Sequence, residues 1–293
     1  MLNISKCFDS INHDILLKKL EMYGIVDVEL EWFSNYLRSR TQKVIFDNEW
    51  SSSQEIYCGV PQGSVLGPLL FLLFINDVSN FTTEGCVLNM YADDVIIYTS
   101  ASTIDEIQNK LQICVNNIQK WYFMNKLTVN EKKSNVMVIG SKAQLQSLNL
   151  DQFSINLESS KMEIVNKAKY LGLLVKDDLS WDDHVLQLCK NMNYYLHVLR
   201  RLSKILPKQL LLKIYKSFIQ SKLDYGLSIW GCTTEGNLDR FQIIQNVCAR
   251  IICRNFDYIN IRGIKLVKSL NLQTIRERRD YFPSVLYLDV SMA

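Results

Sequence analysis

Tyr91-Ala92-Asp93-Asp94-Val95 is the stretch on which the fold turns. Two adjacent carboxylates interrupt an otherwise apolar run, with Val87-Leu88-Asn89-Met90 before them and Ile96-Ile97-Tyr98-Thr99 after. Both flanks have strand composition, so the segment predicts two strands, Val87 to Tyr91 and Val95 to Thr99, joined by a tight turn. Unpaired charge inside such a sheet is costly. Two readings meet that cost. The aspartates can form a turn facing solvent, as Asp often does. Alternatively, the hairpin lifts both carboxylates to the sheet edge, where divalent cations neutralise them; Mg²⁺ takes carboxylate oxygens and shares substrate phosphates.

Some thirty residues earlier stands Gly59-Val60-Pro61-Gln62-Gly63-Ser64-Val65-Leu66-Gly67-Pro68, a Gly/Pro loop running into an apolar helix, Pro68 to Ile75. Such a loop brings backbone N–H groups to a helix N-terminus, a setting suited to phosphate or a nucleotide edge. Gln62 can donate and accept at once. Further outward, Asp14 to Met22 predicts a helix ended by Gly24, and Val28 to Arg38 a second one. Lys43 to Phe46 and Gln54 to Tyr57 predict strands around the turn residues Asp47-Asn48. Thr103-Ile104-Asp105-Glu106 has capping-box spacing and opens a helix with Ile104, Ile107, Leu111, Val115 and Ile118 on one face. Strands follow at Phe153 to Leu157, Lys161 to Val165 and Tyr170 to Val175. Helices are predicted at Val185 to Ile205, Lys208 to Leu223 and Leu238 to Arg254.

Composition narrows the function classes. The chain of 293 residues is 48% hydrophobic and 22% charged, with 11 Gly and 4 Pro, which excludes a disordered or collagenous chain. Its longest apolar run, Leu66 to Ile75, is too short for the roughly 20 residues of a membrane span. No secretory signal design opens the chain, so an intracellular setting, nucleus or cytoplasm, is expected. Eight cysteines without a Cys-x-x-Cys pair, and three scattered histidines, exclude a disulfide scaffold and a zinc finger. Residues 1–185 hold 16 Lys/Arg against 23 Asp/Glu, whereas residues 186–293 hold 17 against 7. Either the basic part is a solvated helical surface or it meets a polyanion.

The motifs in order resemble the reverse transcriptases of non-LTR, LINE-type retrotransposons of the Jockey/CR1-like kind. The resemblance rests on Phe8-Asp9-Ser10-Ile11-Asn12-His13-Asp14, Val60-Pro61-Gln62-Gly63, Tyr91-Ala92-Asp93-Asp94 and Leu127-Thr128-Val129-Asn130-Glu131-Lys132-Lys133-Ser134. It continues through Tyr170-Leu171-Gly172, Leu179-Ser180-Trp181-Asp182-Asp183-His184, and Leu223-Asp224-Tyr225-Gly226 to Trp230-Gly231. It implies an α+β fold: a right-hand polymerase palm of antiparallel sheet with packed helices (residues 1–140), a primer-grip-like hairpin region (141–185) and an all-helical, basic, thumb-like region (186–293). It also implies RNA-directed DNA synthesis with two Mg²⁺ ions, Mn²⁺ as a substitute, an RNA template, a DNA primer and deoxynucleoside triphosphates, with no membrane partner. By that resemblance Asp93 and Asp94 are metal ligands and catalytic residues. Phe8, Gln62, Gly63 and Lys133 are nucleotide-binding, and Tyr170, Leu171 and Gly172 form the primer grip. Phe8, Tyr170 and Trp181 can equally be core aromatics, and Lys133 a surface lysine. Arg200, Arg201, Lys204, Lys213 and Lys216, together with Arg276-Arg278-Arg279, are candidate nucleic-acid contacts.

Three departures stand out. The family stretch resembles Leu-Asp-x-x-Lys-Ala-Phe-Asp, whereas this chain reads Leu2-Asn3-Ile4-Ser5-Lys6-Cys7-Phe8-Asp9. Asn3 therefore stands at the third metal-ligand position, where a neutral amide cannot bridge two cations as an anion does. Asp9, six residues later, reads as a cap or hydrogen-bond partner near the next helix rather than a substitute ligand. Only two residues precede Asn3, so the family's fingers are expected to be missing here and this strand is expected to fray. Lys176 replaces an Asp usual after the Tyr-Leu-Gly strand. Together these predict a defective, truncated copy, inactive by itself; the alternative is a non-catalytic nucleic-acid-binding remnant.

Overall fold

The computed structural model describes residues 1–150, 152–158 and 160–281; the last twelve residues of the predicted thumb-like region lie outside them. The chain divides into two compact units, residues 1–138 with 146–165, and residues 139–145 with 166 onward.

The first unit runs β1 (Leu2–Asn3), α1 (His13–Met22), α2 (Asp27–Leu37), β2 (Thr41–Gln42), β3 (Ile45–Phe46), β4 (Glu49–Trp50), β5 (Gln54–Glu55), α3 (Leu66–Ile75), β6 (Cys86–Tyr91), β7 (Asp94–Thr99), α4 (Ile104–Met124) and β8 (Asn135–Val136). After α5 (Lys142–Ser147) come β9 (Asn156–Leu157), β10 (Ser160–Lys161) and β11 (Glu163–Ile164). Its central sheet is antiparallel in the order β1-β7-β6. The β6–β7 hairpin falls where the sequence puts it, and Ala92 in its turn takes a left-handed φ of 52°. A residue with a Cβ is strained there, and such strain persists only where the surroundings enforce it.

Local signals explain the helices. Asn12 caps α1 by accepting from the Ile15 N–H, and Gly24 leaves it with φ 87°. Thr103 Oγ1 accepts from the Glu106 N–H at the head of α4, whose Val115, Ile118, Trp121 and Tyr122 are buried. The ribbon after α2 differs from expectation. Asp47 and Asn48 do form its turn, both with positive φ, but they join β3 to β4, while Gln54–Glu55 pairs with Thr41–Gln42 farther back. Two successive left-handed residues demand a two-residue loop, which fixes the register from the tip.

The expectation of a frayed first strand is not met. Asn3 pairs with Asp94 and Leu2 with Val95 along one edge. Along the other, the Ser5 N–H donates to Thr128 O, the Asn130 N–H to Asn3 O and the Asn135 N–H to Met1 O. Leu2 and Ile4 are buried between them. A terminal strand stays ordered when both edges are tied and its apolar side chains are covered.

In the second unit β12 (Lys167–Tyr170) and β13 (Leu173–Lys176) form an antiparallel hairpin. The helices are α6 (Asp182–Leu202), α7 (Lys208–Ile214), a π-helical turn at Tyr215–Gln220, α8 (Ser221–Asp224), α9 (Leu227–Trp230), α10 (Glu235–Cys253) and α11 (Gly263–Ser269). The sequence predicts one strand from Tyr170 to Val175; the structure turns the chain at Leu171 and Gly172, both left-handed at φ 45° and 83°. This hairpin is clamped at three points. Tyr225 Oη donates to Leu171 O, the Leu174 N–H donates to His184 Nδ1, and a Cβ on Gly226 would lie 2.9 Å from Leu173. Trp230 Nε1 in turn donates to Tyr225 O at 2.9 Å. The sequence motifs Asp224-Tyr225-Gly226, Trp230 and Trp181 to His184 thus share one structural task, supporting Tyr170-Leu171-Gly172.

One ion pair organises the interior of the first unit. Lys19 is buried, donates to Phe74 O at 2.7 Å and to Asp77 Oδ1 at 2.6 Å, and lies over the Phe74 and Trp121 rings. Burial pushes its ammonium below the ordinary lysine range, while Asp77 opposes that shift. Removing one partner of such a pair leaves an uncompensated charge. Asp77→Ala should therefore lower stability by about 2 kcal/mol, reduced from the fully buried case because Asp77 is partly exposed. Adding Lys19→Met to Asp77→Ala should recover most of that loss. Urea unfolding of the two variants checks this; equal losses would remove the ion pair from the account.

Candidate active site

The β6–β7 turn presents the candidate carboxylates. Asp93 lies in the turn, and Asp94 opens β7 opposite Tyr91 on one side and Asn3 on the other. Both aspartates are half-buried. Burial first, and the neighbouring Asp93 charge second, hold the Asp94 carboxyl above the usual carboxylate range. Excess negative potential of this kind is what a bound cation would relieve. Burial first and the nearby Asp93 charge second push the Cys7 thiol up to about 11, so it stays a thiol at neutral pH.

From Cys7 the contacts continue into the Gly/Pro loop. The Val60 N–H donates to Phe8 O at 2.9 Å and the Gly59 N–H to Ile11 O at 2.7 Å. His13, buried, bonds Gly59 O through Nε2 at 2.8 Å. Gly59 sits at φ 89° with Asp9 backbone 3.0 Å from where a Cβ would be, so no other residue lets the two strands of chain approach so closely. Gln62 Nε2 donates to Asp9 Oδ1 at 2.8 Å. Asp9 is therefore a partner of the loop, while Asn12 is the helix cap. Gly63 is exposed at φ 80°. Ser64 Oγ accepts from the Gly67 N–H at 2.9 Å, which occupies one of the amides that the sequence reading left for a ligand.

The structure thus gathers Asn3, Phe8, Gln62, Asp93 and Asp94 along one N-terminal segment and the elements it touches. Phe8 commits a ring face to Phe71, 4.6 Å between centroids and 28° apart, and remains half-exposed. Lys133 is exposed in a 3-10 turn, Glu131–Lys133, whose flanking Asn130 and Ser134 bond the backbone of Asn3. Among the described residues no ion pair joins Lys133 to either aspartate. Tyr170, Leu171 and Gly172 stand at the hairpin tip of the second unit. Arg200, Arg201, Lys204, Lys213 and Lys216 are all exposed there. Arg276, Arg278 and Arg279 are not comparable cations: Arg276 pairs with Glu235 and Asp239, Arg278 binds Asp224 bidentately at 2.5 and 2.6 Å, and Arg279 pairs with Glu235 and Asp280. Sequence reasoning missed Cys7 and His13, which it took as a small core residue and a lone histidine.

The sequence profile of the family described as Reverse transcriptase (RNA-dependent DNA polymerase) matches residues 1–175. The chain belongs to that reverse transcriptase family. It is 27% identical over 292 residues to the probable RNA-directed DNA polymerase from transposon BS of Drosophila melanogaster, covering 94% of this chain and 31% of the relative. It is 28% identical over 282 residues to the RNA-directed DNA polymerase from mobile element jockey of the same organism, covering 90% and 29%. These relatives bear out the non-LTR, LINE-type resemblance read from the motifs. This reverse transcriptase chain spans about three-tenths of the length of the curated relatives it matches. Among solved structures, that of apo telomerase from Candida tropicalis is similar with a TM-score of 0.47 and 16% identity, over 95% of this chain and 45% of that one. Among the described residues no helix is long and apolar enough to cross a membrane.

Reverse transcriptases use divalent metal ions, and the donor set here fits one in part. Asp93 and Asp94 supply two adjacent carboxylates, but the strand position facing Asp94 offers only the Asn3 amide. Among the described residues no three His, Cys, Asp or Glu side chains form a ligating group. Mn²⁺ should therefore bind weakly, with an apparent Kd above the micromolar range, and Asn3→Asp should tighten it by about 10–100-fold. Paramagnetic broadening of the amides of residues 91–95 measures both. Binding that persists in the Asp93→Ala, Asp94→Ala double variant would place the ion elsewhere.

Proposed function

We propose that this chain is the polymerase core of a non-LTR retrotransposon reverse transcriptase, with a palm in its first part and a thumb in its helical basic part. Asp93 and Asp94 would hold Mg²⁺, which supplies activation of a primer 3′-hydroxyl and charge neutralisation on a triphosphate. The remaining work belongs to the chain. Gln62 and Gly63 contact the incoming nucleotide, Phe8 packs beneath its sugar, and Lys133 lies toward its phosphates. Tyr170, Leu171 and Gly172 hold the primer end. Template RNA and primer DNA lie along the cations of the helical part.

The observation that carries the reading is the register of β1 on β7. It supports Asn3 as the residue standing where a third anionic ligand belongs, beside Asp94. Catalysis of this class depends on positioned charge, so a neutral amide there lowers the rate without dismantling the site. The chain is accordingly a polymerase core impaired at its metal centre, still able to bind nucleic acid.

Primer extension on an RNA template with Mg²⁺ tests this in the chain fused behind the corresponding preceding region of the jockey relative. The fusion carrying Asn3→Asp should extend at least tenfold faster than the fusion retaining Asn3, and Asp93→Ala should abolish extension in either. Equal rates with and without Asn3→Asp would remove the metal-centre defect. Extension that survives Asp93→Ala would refute the assignment of the carboxylates.

A further inference from the structure

From His184 to Leu223 the sequence contains eight Lys/Arg and no Asp or Glu. Forty residues without an acid form α6 beyond its first two residues, α7, the π-helical turn and most of α8, so this stretch carries net positive charge. Aromatic rings are embedded in it. Tyr194 meets Tyr195 edge-on, 5.4 Å between centroids, and Tyr195 lies near-parallel to Phe218 at 6.4 Å and 27°. The Lys222 ammonium sits 5.5 Å from the centroid of the Tyr195 ring. Tyr194 and Phe218 are 68% and 54% exposed. Helical spacing puts Lys190, four residues before Tyr194, and Arg201, seven after it, on the same exposed stripe.

Leaving large rings in water forgoes the gain of burying them, so a preorganised exposed group invites an occupant. Its surroundings select one. Trp32 of α2 is also exposed, and it stacks on Tyr36, but Asp27, Glu29 and Glu31 share that helix and would repel a polyanion. Along the chain that carries Tyr194 and Phe218, from His184 to Leu223, every charged residue is positive. Rings interleaved with cations are the surface on which unpaired bases stack while their phosphates are neutralised. A duplex can use the cations but covers its base faces by its own stacking, so the rings distinguish strands that are not paired.

We propose that the Tyr194–Tyr195–Phe218 face of the second unit binds single-stranded nucleic acid, with bases stacked on Tyr194 and Phe218 and phosphates held by Lys190, Arg201 and Lys222. The inference rests on the reading of the chain as a nucleic-acid polymerase core, and assigns to its helical part a contact with the unpaired strand. Readout is by stacking, so base sequence matters little.

Fluorescence anisotropy with a labelled 20-nucleotide single strand and a duplex of equal length tests it on the chain as it stands. Tyr194→Ala and Phe218→Ala should each weaken single-strand binding about tenfold and duplex binding less than twofold, and Phe218→Trp should restore it. Both side chains are exposed, so an unchanged thermal midpoint confirms that the fold is intact. Lys190→Ala should weaken both ligands and flatten the salt dependence. Equal losses for single strand and duplex, or no loss with either ring variant, would overturn the proposal while leaving the polymerase reading in place. Failure of the unaltered chain to bind either nucleic acid at low salt would overturn both.

Discussion

The two-sided pairing of residues 1–5 is the constraint on which the candidate site depends. β7 bonds one edge of this segment and residues 128–135 bond the other, while Leu2 and Ile4 fill the core beneath. Because side chains alternate across a strand, a slip of one residue would turn Leu2 and Ile4 outward and put a different residue opposite Asp94. Burial of those two side chains therefore fixes the register, and the register decides that Asn3 faces the carboxylates. The same pairing delivers Cys7 to Asp93 and Phe8 to Phe71 a few residues on.

From that anchor the site is built by close approach of backbones rather than by long side chains. Gly59 lets the Gly/Pro loop lie against Asp9, and the amides of Gly59 and Val60 bond the carbonyls of Ile11 and Phe8. Buried His13 and Lys19 project from successive turns of α1, one onto the loop and the other onto the end of α3. A polar residue buried on the apolar face of a short helix is costly unless a partner is supplied, and here each has one. These groups make α1 the brace that holds loop, α3 and first strand together.

In the second unit, residues of one type have opposite fates. Arg276, Arg278 and Arg279 are spent on Glu235, Asp239, Asp224 and Asp280, whereas the stretch from His184 to Leu223 holds eight cations and no acid. The Arg278–Asp224 pair is only partly exposed, and Asp224 adjoins Tyr225, whose hydroxyl bonds the hairpin tip. Net positive charge in this part is thus the sum of a structural set and a free set, and only the latter can meet a polyanion without dismantling a support.

Local chemistry alone determined a good deal: the β6–β7 hairpin from two strand-forming flanks around Ala92-Asp93-Asp94, the caps Asn12 and Thr103, the amphipathic period of α4, and the ordered motifs that mark a reverse transcriptase. Each of these signals lies within a few residues of what it specifies. Strand register in the exposed ribbon was less legible, because all its residues face solvent and only the left-handed Asp47-Asn48 pair sets the alignment. What tertiary structure decided joins residues far apart in the chain: Asn3 opposite Asp94, Cys7 on Asp93, Lys19 with Asp77, and which arginines are already paired. No local period encodes those meetings. They follow from which apolar faces must be buried together, and the polar groups carried along with those faces find their partners only once that burial is complete.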